Sequence, residues 1–342
     1  MAVDRMKRER LAILLVLVLA LGAGVVALAF RSWGSSRVVE IHAAIPGNGG
    51  WLTSSINTRV GEPLHLLLIS NDVVHSFALG QSDFEPVDLL PGKPTNFTLT
   101  FDEPGTYTFY CTRWCSADHW RMRGTITVVG DRPMSAEPPT TPLYLQLGID
   151  LDAPHELHAL NLKGSPSAEN AAALGVTLPP EFLTQEYYRS HSPLQVWDEM
   201  SEASFTTNIT DTQVWDLVAW IWQRNTDPTK LAEGAALYQR DCAACHGVDG
   251  AGDGIYGAEY ISENDDHSQT KYDGHSVESA TNFQEQSHML SASPALLQGK
   301  LIRGGMGTGM PSWGLIYSEE QTWAMVEFLW TFQFDDLKDV NQ

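Results

Sequence analysis

Cys111-Thr112-Arg113-Trp114-Cys115-Ser116-Ala117-Asp118-His119-Trp120-Arg121-Met122 brings two cysteines, a histidine and a methionine into one short loop. Thiolate, imidazole and thioether together suit copper, which takes soft sulfur alongside nitrogen. A mononuclear blue-copper site uses a single thiolate with two histidines and a weak methionine. Two thiolates therefore point to two copper ions sharing both sulfurs. The second histidine has to come from another strand, and His75 in Asp72-Val73-Val74-His75-Ser76-Phe77 is placed to supply it. Two plainer readings compete. An exported chain permits a Cys111–Cys115 disulfide, and zinc takes thiolate and imidazole but seldom a thioether.

Working outward, Val38–Ile45, Arg59–Ile69, Thr95–Phe101, Tyr107–Tyr110 and Gly124–Val129 are short and rich in β-branched or aromatic residues. Gly-Glu-Pro and Pro-Gly-Lys-Pro turns interrupt them, which predicts an antiparallel sandwich carrying the metal loop at one end. Residues 131–142 are rich in proline, serine and threonine and read as a linker closing that domain.

Val74-His75-Ser76-Phe77, Leu90-Pro91-Gly92, Glu103-Pro104-Gly105-Thr106-Tyr107 and the Cys-x3-Cys-x3-His-x2-Met loop resemble the CuA cupredoxin domain. That domain occurs in subunit II of haem-copper oxidases and in nitrous oxide reductase. The resemblance covers residues 37–130 and implies a site. Cys111 and Cys115 would bridge two coppers, and His75 and His119 would cap one each. Met122 and the backbone carbonyl of Arg113 would be the weak axial ligands. Many oxidases have a glutamate where Arg113 stands, helping to hold a magnesium ion. A guanidinium has no acceptor to offer there.

Further along, Cys242-Ala243-Ala244-Cys245-His246 has the spacing of c-type haem attachment. Cys242 and Cys245 would carry the porphyrin on thioether bonds, and His246 would bind the iron. A zinc reading of the same motif lacks a further Cys or His pair close by. Residues 231–335 resemble class I cytochromes c. In that family the methionine ligand sits in a Met-Pro step before the last helix, which selects Met310 over Met306. Leu231–Arg240 has helical spacing, with Gly234 and Tyr238 facing the final helix. The stretch between Ile255 and Ala280 is long and acidic and reads as a solvated insertion.

Thr210–Trp222 reads as a capped amphipathic helix, and Ser318–Trp330 repeats it: Gln213, Trp215, Val218 and Trp222 match Gln321, Trp323, Val326 and Trp330 at a constant offset. An internal duplication follows as an expectation. It makes residues 143–228 a cytochrome c-like helical domain without haem, since no attachment motif lies there.

Residues 11–30 are uncharged and mostly aliphatic, long enough as a helix to span ~30 Å of hydrocarbon. Arg5, Lys7, Arg8 and Arg10 precede them, so the N-terminus is expected in the cytoplasm and the main domains outside it. The span exceeds the apolar core of most cleaved leaders. The net charge of −21 makes nucleic-acid binding an unsuitable role.

The whole reads as a multidomain chain: a transmembrane helix, an all-β cupredoxin sandwich, then all-α cytochrome c-like domains. No nucleophile or general base is evident, so the expected role is electron transfer. Electrons would enter from a soluble or membrane donor at a covalent haem c and pass through dinuclear copper. They would leave for an integral-membrane haem-copper oxidase subunit I. Rival expectations are an electron-delivery subunit of a nitric or nitrous oxide reductase and a copper-delivery protein.

Overall fold

The computed structural model describes residues 38–116, 119–130, 141–153, 162, 164–256, 280–305 and 310–337. The expected membrane span, most of the linker, Met306 and nearly all of the acidic insertion lie outside these residues. Among the described residues no helix is long and apolar enough to cross a membrane.

The first part is all β. Its strands are β1 (Val38–Ala43), β2 (Ser55–Arg59), β3 (Leu64–Ser70), β4 (His75–Leu79), β5 (Val87–Leu89), β6 (Thr95–Leu99), β7 (Gly105–Tyr110) and β8 (Arg123–Val129). They form a three-stranded sheet, β1-β3-β6, and a five-stranded sheet, β2-β8-β7-β4-β5. In β3 burial alternates, with Leu64, Leu66 and Leu68 turned inward, as one buried sheet face requires. Phe77 and Phe109 stack at 5.3 Å in the core, with Trp51 edge-on to Phe109 at 5.4 Å. Gly124 is needed beside them: a Cβ there would lie 2.1 Å from the Phe109 ring.

Two pairings depart from the antiparallel expectation, since β1 runs parallel to β3 and β2 parallel to β8. The chain changes sheets between β1 and β2 and again between β2 and β3. Such crossovers leave a returning strand free to run either way, and β6 comes back antiparallel to β3. Arg59–Ile69 accordingly divides at Gly61, whose φ of 74° only glycine adopts readily.

The remainder is helical: α1 (Leu143–Gln146), α2 (Ala168–Ala173), α3 (Gln185–Ser190), α4 (Pro193–Ser201), α5 (Asp211–Arg224), α6 (Pro228–Asp241), α7 (Ala243–His246), α8 (Gln286–Met289), α9 (Pro294–Arg303) and α10 (Glu319–Leu329). Both helices of the expected repeat begin with a capping box, Thr210 with Gln213 and Ser318 with Gln321. The device is not peculiar to them, because Ser192 and Gln195 form a third at α4. The last tryptophans of the repeat meet: Trp222 and Trp330, both fully buried, lie edge to face at 5.5 Å. One hydrophobic cluster runs through helices on both sides of Pro228 and reaches Ala78 and Tyr110 of the sandwich.

Helix α6 crosses α10 at Gly234, where a Cβ would fall 2.1 Å from the Ala324 carbonyl oxygen. Glu327 of α10 lies beside this crossing, 3% exposed, and accepts a hydrogen bond from the Asp227 amide at 3.1 Å. Burial raises its pKa from 4.5 to about 7, opposed by that amide, Lys230 and Arg189. A carboxyl raised in the fold stabilises it while protonated, so the contribution is full below pH 4.5 and lost as pH rises through about 7. Glu327→Gln keeps the acceptor and removes the charge. We expect it to raise stability by about 3 kcal/mol at pH 8 and to change little at pH 4, measured by denaturant unfolding across that range.

Candidate metal centres

Strands β4 and β7 are antiparallel neighbours, pairing Ala78 with Tyr110 and Leu79 with Phe109. The start of β4 therefore meets the end of β7, which sets His75 against the loop that opens at Cys111. The ligand atoms of His75, Cys111 and Cys115 lie within 4.8 Å of one another, and no other such group of three occurs among the described residues. His75, Cys111, His119 and Met122 are each no more than 3% exposed. The sulfurs of Cys115 and Met122 are 3.4 Å apart, and Cys111 Sγ lies 3.3 Å from the Arg113 carbonyl oxygen. All four cysteines carry free thiols, so the disulfide reading fails in this fold.

Two buried atoms near these sulfurs have no hydrogen-bond partner: His75 Nδ1 and His119 Nδ1. An unpartnered buried polar atom is costly, and here the same ring nitrogen is left over in both histidines. For His75 the other nitrogen is held, with Nε2 donating to Asp72 Oδ1 at 2.7 Å. Such a carboxylate fixes the tautomer that leaves Nδ1 as a lone pair for a metal. Burial works to raise the Asp72 pKa, but the Ile45 amide, His75 and the Val73 amide outweigh it and hold the carboxylate ionised.

The loop is tied down around this donor set. The Ser76 amide donates to Cys111 Sγ at 3.4 Å, the Cys111 amide to the Met122 carbonyl at 3.2 Å, and Trp51 Nε1 to the same carbonyl at 3.0 Å. Hydrogen bonding from Cys115, supported by His119 and His75, lowers the Cys111 pKa against burial. Two thiols, two free imidazole nitrogens and a thioether fit soft metal ions. The Arg113 side chain points elsewhere and pairs with Asp88 through two hydrogen bonds of 2.8 and 2.7 Å.

At the second motif, α6 runs into α7 at Cys242. His246 Nδ1 donates to the Thr281 carbonyl at 3.1 Å, leaving Nε2 for a metal, and Phe283 stacks on its ring at 4.6 Å. Burial lowers the His246 pKa and keeps the imidazole neutral. Cys242, Cys245 and His246 do not converge on one point as zinc ligands would. Two thiols for a porphyrin rim and one imidazole for its iron need no convergence, so these residues fit a covalent haem. Gly254 passes so close beneath that a Cβ would lie 2.4 Å from the Ala244 oxygen. Met310 is half-buried against the helical core, and its carbonyl accepts from the Gly305 amide at 3.1 Å.

Sequence reading missed the contacts that join the two parts. Gln81 bonds the Ile316 carbonyl through its amide at 2.8 Å and the Gly314 carbonyl through Nε2 at 3.0 Å. Arg123 donates to the Ser312 carbonyl at 2.6 Å and lies over the Trp313 ring at 5.3 Å. Arg240 reaches Tyr110 Oη at 3.2 Å, and Tyr317 donates to the buried Asp241. Isolated polar and aromatic residues in turns carry no periodic signal. Asp72 was legible in principle, three positions before His75.

A two-sheet sandwich bearing a thiol and imidazole cluster is thus followed by helices that carry a haem-attachment motif. Residues 231–333 match the family model described as cytochrome c. Subunit 2 of the cytochrome c oxidase of Thermus thermophilus is 32% identical over 79 residues, 23% of this chain and 58% of that one. An alternative cytochrome c oxidase subunit 2 of Bradyrhizobium diazoefficiens is 33% identical over 73 residues, 21% of this chain and 26% of the relative. The match spans about half the length of the Thermus relatives. Among solved structures, the periplasmic domain of subunit II of a Bradyrhizobium japonicum cytochrome oxidase covers 28% of this chain and 84% of its own, at 21% identity and a TM-score of 0.23. The chain is thus similar to cytochrome c oxidase subunit 2 over about a quarter of its length and matches the cytochrome c model over residues 231–333, the two resemblances its motifs led us to expect.

Proposed function

We propose that this chain is the membrane-anchored electron-transfer subunit of a haem-copper terminal oxidase, with a dinuclear CuA centre and a covalent haem c. When bound, the haem accepts single electrons from a donor and the copper pair passes them to subunit I in the membrane. The observation that carries the reading is the pair of unpartnered Nδ1 atoms beside two free thiols. Cys111, Cys115, His75, His119, Met122 and the Arg113 carbonyl would hold the coppers, with the two thiolates shared between the ions. Cys242, Cys245, His246 and Met310 would hold the haem. The chain's own work is to bury these donors, fix their tautomers and keep water from them. Burial and a closed loop limit rearrangement on redox change, which suits a relay better than catalysis. Residues 11–30 supply the anchor, and the domains at 37–130, 143–228 and 231–335 lie outside the cytoplasm.

Stopped-flow reduction of the metal-loaded full chain tests this. Haem oxidation should be matched by copper reduction, and the chain should co-purify with a many-helix haem-copper partner showing cyanide-sensitive oxygen uptake. Readily exchangeable copper that takes no electrons from reduced haem would instead mark a copper-delivery protein. A partner that consumes nitric or nitrous oxide rather than oxygen would redirect the assignment to such a reductase.

A further inference from the structure

Trp114 stands between the two cysteines of the candidate copper loop and touches both a residue of that centre, His119, and the backbone of Arg240 leading into the haem motif. Its ring packs on the His119 imidazole with centroids 4.4 Å apart. Its Nε1 donates to the Arg240 carbonyl at 3.2 Å, two residues before Cys242. Tyr256 also holds it, stacking on the ring at 5.0 Å and donating from its hydroxyl to the Trp114 carbonyl at 3.4 Å. One side chain thus spans from a candidate copper ligand to the backbone that carries a candidate haem thioether, with no gap wider than van der Waals or hydrogen-bond contact.

We propose that Trp114 is the bridge through which an electron passes between the haem and copper centres within this chain. The inference rests on the two-centre reading above. In the step, one electron leaves ferrous haem iron, which becomes ferric, and one cupric ion of the pair becomes cuprous. No bond forms or breaks, no proton moves, and Trp114 stays neutral, serving as medium rather than as a redox station. The indole is suited to this: its polarisable ring meets the imidazole and its N–H meets the carbonyl. Gln81 and Arg123 clamp the two parts elsewhere on the interface, so the docking does not depend on Trp114 alone.

Two variants of the full-length, metal-loaded chain separate a bridge from a packing residue. Trp114→Phe keeps a ring against His119 and loses the N–H. Trp114→Leu loses both. We expect haem-to-copper transfer after flash photolysis to slow at least about tenfold in the leucine variant, equivalent to about 1.4 kcal/mol on the barrier, and less in the phenylalanine variant. Copper content, the copper electron paramagnetic resonance spectrum and both reduction potentials should stay as in the parent. A second readout needs no metal: in the copper-free chain the Trp114 indole proton should exchange slowly with solvent, because the Arg240 carbonyl holds it. Transfer within about twofold of the parent in Trp114→Leu, with both centres intact, overturns the inference, as does free exchange of that indole proton. A parent chain that binds fewer than two copper ions, or shows no transfer at all, overturns the two-centre reading and the bridge with it.

Discussion

Replacing Cys111 with serine should empty the copper loop: copper per chain, by mass spectrometry of the purified protein, should fall from two ions to none. Cys111 is the most buried of the four candidate thiols, 3% exposed, and His75, the Ser76 amide, the Arg113 carbonyl and Cys115 all converge on its sulfur. A serine hydroxyl is a hard, neutral donor that these metals take poorly. It is also shorter-bonded, so it withdraws from a cluster whose donors already lie within 4.8 Å. In the proposed dinuclear centre both ions would share this sulfur, which is why its loss should cost two metals rather than one. Asp72→Ala gives a graded comparison. It frees the His75 ring to adopt either tautomer, and loss of such an outer partner typically costs about 10–100-fold in metal affinity. Arg113→Ala should leave copper content unchanged, since only the backbone carbonyl faces the sulfur and the guanidinium is committed to Asp88. A parent chain holding a single ion would reduce the reading to an anchored cytochrome beside an inert sandwich.

Both candidate centres were legible because their chemistry is local. The copper loop and the Cys242–His246 motif each pack their donors into a few residues, and spacing alone then restricts the metal. His75 needed the fold as well, and the antiparallel pairing of β4 with β7 supplies the reason it arrives. The crossing of α6 with α10 was foreseen from Gly234 and Tyr238, because a helix that must approach another backbone closely shows its glycine. The parallel strand pairs were not, since local pattern reports which face of a strand is buried but not which neighbour it meets. The way the sandwich docks on the helices was equally hidden. Gln81, Arg123 and Trp114 act through backbone carbonyls 233, 189 and 126 positions away, and any residue can present a carbonyl. That interface is where function needs precision, and it left no periodic trace in the sequence.

The haem motif supports the second strong expectation, that Cys242→Ser with Cys245→Ser abolishes covalent haem while each single change leaves one thioether. On a denaturing gel the haem-dependent peroxidase stain should vanish from the double variant and persist, weakened, in the singles. Burial raises the pKa of both thiols, so they wait as neutral, unreactive groups, not as thiolates prone to oxidation or to unspecific metals. His246→Ala separates attachment from ligation. The covalent band should remain, but the iron loses the nitrogen that the Thr281 carbonyl orients, and the absorption spectrum of the reduced chain should change. Haem staining that survives in the double variant would mean the group is held by something other than Cys242 and Cys245. A zinc site at the same motif predicts the opposite pattern, with metal lost and no haem stain in any variant or in the parent. Around the junction of α6 and α7 these three side chains do not converge as zinc ligands would, a spread compatible with two thioethers at a porphyrin rim and one imidazole at its iron.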